Sequence, residues 1–275
     1  MLLNNVGGLD YIYFNENLDT SNLINVDSLF RGCASLKEID LSRFNTSKTT
    51  DMEYMFYACS SLEQLDLSNF DTSNVTSMRW MFYLAKKLKS LDLKNFNMSK
   101  VTHMSEMFRE CLALETVDYG KQADWTALQY LERMFYGCEG LRNLDMGGTT
   151  ITSLVKDYSS MFYNCKNLET LKIGNWDTSQ ATDFSNMFYN CEKLTSLDLS
   201  GFDTSSLDNS GWNNIFSGCT SLQYLDLRNW TVNRTKNTTT FSGVPADCTI
   251  VVSNENMAMW VQACREDFTN IVVRT

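Results

Sequence analysis

Seven aspartates share one recurring position: Asp40, Asp66, Asp92, Asp118, Asp145, Asp198 and Asp226, with Lys172 in the same slot between the fifth and sixth. Each lies between two apolar residues, as in Leu65-Asp66-Leu67. Carboxylates stacked in register repel one another, so something must compensate them. Three explanations are open. Backbone or Ser/Thr donors of the adjacent coil can hydrogen-bond the ionised form. Calcium can sit among them, although it needs about 6–8 oxygens and no D-x-D-x-D-G loop is present. A partner can meet them as part of a recognition surface.

Catalysis finds little support. Glycoside hydrolysis needs one pair of carboxylates at a defined separation, whereas these belong to a repeat and no unique pair stands out. His103 is the only histidine, and there is neither a G-x-S-x-G nor a phosphate-binding glycine loop. Cys33, Cys59, Cys111, Cys138, Cys165, Cys191 and Cys219 also share one slot, which Ala85 fills once. A slot that takes Cys or Ala is small and buried. Side chains on parallel strands point the same way, so the sulfurs are expected as thiols rather than disulfides. With no C-x-x-C pair and one histidine, a zinc site is not expected.

The elements that position these residues follow from a repeat. Phe30, Phe56, Phe82 and Phe108 are 26 residues apart, and Phe135, Phe162, Phe188 and Phe216 continue at 27, 27, 26 and 28. Such a period marks a solenoid whose units bury their apolar sides only against neighbours. Each copy runs from the marker Phe through the Cys slot to L-x-x-L-x-L, a strand with Leu inward and its neighbours outward. An aromatic follows (Phe44, Phe70, Phe96, Trp176, Phe202 or Trp230) and is expected in a core ladder. Then comes Asp-Thr-Ser or a variant such as Asn97-Met98-Ser99, a turn sequence. Met52, Met78 and Met104, with Met55, Met81, Met107, Met134, Met161 and Met187, keep the period of the Leu rows and are expected in the core.

Two copies break the rule. Around 118–135 the aromatic moves to Trp125, and 145–155 has none. After Trp230 the pattern fades into a polar loop over 231–240. CTIVV from Cys248 reads as a strand. A helix capped by Ser253 or Asn254 should run to Cys264, with Met257, Trp260, Val261 and Cys264 on one face, and IVVR as a last strand. The expected division is a partial N-terminal repeat over 1–29, a solenoid over 30–240 and a C-terminal cap over 241–275.

A net charge of −10 and a pI near 4.7, with no basic stripe, argue against nucleic acid and anionic lipid as partners. No apolar run is long enough to cross a membrane. The N-terminal stretch lacks the features of a signal peptide, and no anchor is read at the C-terminus. Sequons occur at Asn45, Asn74, Asn97, Asn233 and Asn237, and three of them fall in the repeat turn.

MFYGCxxL, LxxLDLSxFDTSxVTxM and the 26-residue step resemble the BspA-like leucine-rich-repeat surface proteins of bacteria, related to the Treponema-type repeats. The resemblance covers about Leu9 to Trp230. It implies a leucine-rich-repeat-type, right-handed stack of parallel strands with short irregular or helical return segments. It also implies a bacterial cell-surface or secreted location and adhesion to a host or neighbouring-cell protein. It carries no catalytic motif and no cofactor. Glycan recognition and a ligand-free structural spacer are the alternatives. The candidate partner-binding face is the strand column and its outward flanks: Gln64, Asp66, Ser68, Ser90, Asp92, Lys94, Thr116, Asp118, Asn143, Lys172, Tyr224 and Arg228. The protein is expected to act as a monomer.

Overall fold

A computed structural model describes residues 5–15, 17–120, 123–232 and 236–274. Residues 121–122 of the irregular stretch and the sequon at Asn233, with 234–235 of the polar loop, lie outside the described residues. The chain winds into a parallel β-solenoid of the leucine-rich-repeat type, in which one coil stacks on the next. Its strands are β1 (Tyr11–Ile12), β2 (Glu38–Ile39), β3 (Ser90–Asp92), β4 (Thr116–Asp118), β5 (Asn143–Asp145), β6 (Thr150–Ile151), β7 (Thr170–Lys172), β8 (Asn175–Trp176), β9 (Ser196–Asp198), β10 (Tyr224–Asp226), β11 (Thr249–Val252) and β12 (Ile271–Val273). One helix, α1 (Glu255–Cys264), follows β11.

The marker phenylalanines form the axis of the core. Consecutive rings from Phe30 to Phe216 stack with centroids 5.2–5.8 Å apart, tilted by no more than 18°. Phe241 adds a ninth ring 5.6 Å beyond Phe216. The fading of the pattern after Trp230 is therefore corrected. The coil continues with Val244 at the Cys position, buried, and only the intervening polar stretch lost its repeat signature. The row three residues past each strand is buried too, but its ring contacts are looser, as at Trp176–Phe202 (6.0 Å). The Met rows are fully buried, as expected.

The Cys slot is a hydrogen-bonded column. The thiols of Cys59, Cys111, Cys138, Cys165, Cys191 and Cys219 each donate to the carbonyl of the marker Phe one coil back, at 3.0–3.2 Å. These six are buried free thiols, and burial pushes Cys219 up to about 12. A thiol so held is neutral and unreactive.

The segment returning through the marker Phe is a run of tight turns. In one coil, Met55, Tyr57, Cys59 and Leu62 donate to carbonyls three residues earlier. The alternate amides reach across to the next coil: Met52 to Ser77, Tyr54 to Arg79, Phe56 to Met81 and Ala58 to Tyr83. This geometry demands positive φ two residues on either side of the marker, as at Tyr54 and Ala58 (54° and 56°). A Cβ is strained there. Four coils meet the demand after the marker with Gly32, Gly137, Gly218 and Gly243, and two with Asn164 and Asn190. Ala58→Gly is therefore expected to raise stability by ~1 kcal/mol, read from a urea midpoint at unchanged slope.

The Asp-Thr-Ser turn has a division of labour. The Asp or Asn closes its own turn, as when Asp71 accepts the Ser73 amide at 2.9 Å. The Thr is buried and clips the following coil in both directions. Thr72 donates to the Asn97 carbonyl (3.1 Å) and accepts the Asn97 amide (2.7 Å). Thr20, Thr46, Thr178 and Thr204 do the same. Met98 takes the slot in one copy and has no hydroxyl to offer. The coil after it is the first irregular one.

At the C-terminal end, Asn254 caps α1 by accepting the Met257 amide (2.9 Å), and Met257, Trp260, Val261 and Cys264 are its buried side. β12 pairs in parallel with β11 and closes the sheet there.

Candidate recognition surfaces

The two long sides of the stack differ in continuity. On the turn side, the marker Phe amide bonds the next coil at every step: Phe30 to Met55, Phe56 to Met81, Phe82 to Met107, Phe108 to Met134, Phe135 to Met161, Phe162 to Met187, Phe188 to Ile215 and Phe216 to Thr240, all at 2.9–3.0 Å. On the strand side the sheet is broken into β1–β2, β3–β4, β5–β7 and β9–β10–β11–β12, with β6–β8 as a separate pair on the flank. The expected stack of parallel strands is present, but its two- to four-residue strands pair in blocks. The bonds of the turn side run through every coil from Phe30 to Phe216.

Grooves open where the blocks separate. The first, of about 660 Å³, is lined by Tyr11, Glu38, Gln64, Asp66, Ser90 and Asp92 among others. It lies at the coil whose strand positions, Gln64–Asp66, make no ladder pair among the described residues. Leu65 is only partly buried there, unlike its counterparts Leu91 and Leu144. The second, of about 1000 Å³, lies between β4 and β5 and is lined by Lys94, Thr116, Asp118, Asn143, Asp145 and Lys172, with Gly120, Gly147 and Gly148. The candidate residues therefore fall into three groups rather than one strip. Ser68 is exposed beside the first groove, its amide bonded to Asp66 at 2.9 Å. Tyr224 and Arg228 form a third patch around Asp226, whose carboxylate accepts from the Tyr224 hydroxyl (3.2 Å) and from Arg228 Nε (3.0 Å).

The aspartate column is satisfied locally. Asp40, Asp66, Asp92, Asp118, Asp145, Asp198 and Asp226 each accept the backbone amide two residues ahead, at 2.8–3.1 Å. The expected donors on the adjacent coil are replaced by the residue's own turn, because the chain bends straight after each strand. These bonds hold the carboxyls of Asp66 and Asp118 below the usual range, as the Lys172 ammonium chiefly does for Asp145. A lowered folded-state pKa stabilises above the ordinary carboxylate range, and that contribution is lost as pH falls through it. Lysines offset the like charges. Lys94 Nζ sits 3.4 Å from Asp92 and 3.1 Å from Asp118, and Lys172 Nζ sits 2.9 Å from Asp145. These pairs are exposed and add little to stability. Among the described residues no group of three or more His, Cys, Asp or Glu converges as a metal site.

The turn side carries a row that the sequence reading passed over. The residue after the marker Phe is Arg31, Tyr57, Tyr83, Arg109, Tyr136, Tyr163 and Tyr189 in seven successive coils, before Ser217 and Ser242 end the row. All seven are half-buried and in contact. Tyr57 meets Tyr83 at 5.1 Å, Tyr136 meets Tyr163 at 4.5 Å and Tyr163 meets Tyr189 at 4.7 Å. The Arg109 guanidinium lies between the Tyr83 and Tyr136 rings, at 5.2 and 4.6 Å. Arg31 covers Tyr54 and Tyr57, and Arg79 lies 3.4 Å over Trp80. The recurring Phe-Tyr and Phe-Arg pairs were the available signal, beside a Phe that was itself assigned to the core. His103 stacks on Tyr130 at 4.2 Å on the same side, and burial lowers its pKa.

The family model "Mycoplasma protein of unknown function, DUF285" matches residues 9–125 and 129–251. The chain belongs to this family. No curated protein matches it. Among solved structures, it is similar to an internalin, InlF, from Listeria monocytogenes (15% identity, covering 89% of this chain and 76% of that one, TM-score 0.33). A leucine-rich cell surface protein from Faecalibacterium prausnitzii shows 16% identity over 90% of this chain and 79% of that one, with a TM-score of 0.33. The pneumococcal vaccine antigen PcpA shows 14% identity, 88% and 66% coverage and a TM-score of 0.33. No helix among the described residues of this DUF285 chain is long and apolar enough to cross a membrane.

Proposed function

We propose that this DUF285 protein is a non-catalytic recognition module that binds a partner protein across its strand face. The observation that carries the reading is the second groove, where β4 and β5 separate, rimmed by Lys94–Asp118 and Lys172–Asp145. Exposed, oppositely charged groups around an opening supply specificity and association rate more than stability. The resemblance of its repeats to BspA-like surface repeats supports a place outside a bacterial cell and a partner on a host or neighbouring cell. A bare spacer has no use for clustered surface aromatics, and the turn-side row is such a cluster.

The test is a surface-binding screen against host matrix proteins, with the Lys94→Glu/Lys172→Glu double variant alongside. A saturable partner lost by at least tenfold in the variant, with the melting temperature unchanged, supports the reading. A partner bound equally by both proteins removes the strand face from the account, and a panel with no saturable binder counts against the protein-recognition role.

A further inference from the structure

We propose that the turn face is a second binding site, taking a linear, uncharged β-1,4-linked polysaccharide laid along the stack axis. The argument rests on period and on what the rings leave exposed. Only the turn side keeps a constant repeat, because every marker Phe amide is bonded to the next coil. The strand side pairs without a break only from β9 to β12 and is otherwise divided into two-strand blocks. From Arg31 to Tyr189 the turn-side row crosses six coil steps, about 29 Å at ~4.8 Å per step.

A partner that reads such a row must repeat at nearly the same interval. An extended peptide places side chains on one side every ~6.7 Å. An α-helix advances ~5.4 Å per turn and loses most of a step across six coils. A β-1,4-linked chain of pyranoses advances less per sugar than a helix does per turn, and although successive sugars are turned over it presents hydroxyls along its edge at each.

The exposed chemistry agrees. The rings of Tyr136, Tyr163 and Tyr189 lie nearly parallel in their stack, at 3° and 9° to one another, so their faces cover one another. What remains toward solvent is a file of phenol edges, each with a hydroxyl that donates and accepts. Arg109 continues the file as a donor, with its charge met by Glu106 at 2.8 Å. Such a surface matches hydroxyl groups rather than a polyanion, in keeping with the acidic net charge. Weak bonds repeated along one chain sum through multivalency.

The experiment uses the full chain with microcrystalline cellulose and chitin beads in a sedimentation assay, and cellohexaose and chitohexaose in calorimetry. The variant Tyr136→Phe/Tyr163→Phe/Tyr189→Phe keeps the stacked rings and removes only the hydroxyls. The parent should be retained on at least one polymer, and the triple variant should bind at least tenfold more weakly with an unchanged melting temperature. The Lys94→Glu/Lys172→Glu protein should bind the glycan like the parent, which separates this site from the strand face. Absence of parent binding to both polymers, or undiminished binding by the triple Phe variant, overturns the proposal. So does a triple variant that keeps its glycan but loses a protein partner.

Discussion

Phe108→Ala is expected to destabilise the protein by about 3–5 kcal/mol, the usual cost of deleting a fully enclosed aromatic ring. Phe108 has no exposed surface and stacks on Phe82 at 5.5 Å and on Phe135 at 5.2 Å. Two ring contacts are lost together and a cavity is left at the middle of the column. The neighbours cannot close over it, because the Met104 amide is bonded to Tyr130 of the next coil and the Met107 carbonyl accepts from the Phe82 amide of the preceding one. In a stack where each coil is stabilised only by its neighbours, a central defect also divides the array. The change should appear in calorimetry as a lower transition temperature and a broader, two-step melt. A single sharp transition near the parental temperature would show that the Phe column does not couple the coils.

Thr72→Val is expected to cost about 1–3 kcal/mol although it preserves shape. The side chain is 1% exposed, and its hydroxyl satisfies both the amide and the carbonyl of Asn97. Valine fills the same space and leaves both groups without that partner. A Thr72→Ser variant retains the hydroxyl and should recover most of the loss, which separates the clip from packing. Urea denaturation of the three proteins measures it, and Val and Ser variants of equal stability would dismiss the clip.

Much of this was legible in the sequence for a physical reason. A repeat writes the same constraint many times, so the Phe, Cys, Leu and Met rows declare themselves as core without knowledge of any contact. A cap at Ser253 or Asn254 and the buried side of α1 were also legible, because a polar cap followed by apolar residues at helical spacing has few other meanings, and the structure selects Asn254. Three things were not legible. Phe241 lies beyond a polar stretch that hides the period. The donors to the aspartate column depend on a backbone bend immediately after each strand, which the pattern of side chains does not specify. The breaks in the sheet leave no mark in the side-chain pattern, since Leu65-Asp66-Leu67 reads the same as Leu91-Asp92-Leu93. The strand face was therefore expected as one strip, whereas it is a set of blocks with grooves between them.

In the two proposals above, the same division assigns a different partner to each face. The turn side is held in constant step and suits a periodic ligand. The strand side, released from continuous pairing, varies from coil to coil and suits an irregular protein surface.

Hydrogen–deuterium exchange at single-residue resolution tests that division most directly. The turn-side amides of Phe56, Phe82, Phe108, Phe135, Phe162 and Phe188 should be protected as one slow-exchanging block. The amides of Gln64, Leu65 and Asp66 should exchange far faster than those of Leu144 and Leu225, which sit within paired blocks. Uniform protection along the strand side, or faster exchange at the marker phenylalanines than at Gln64–Asp66, would contradict a stack that is held together from its turns.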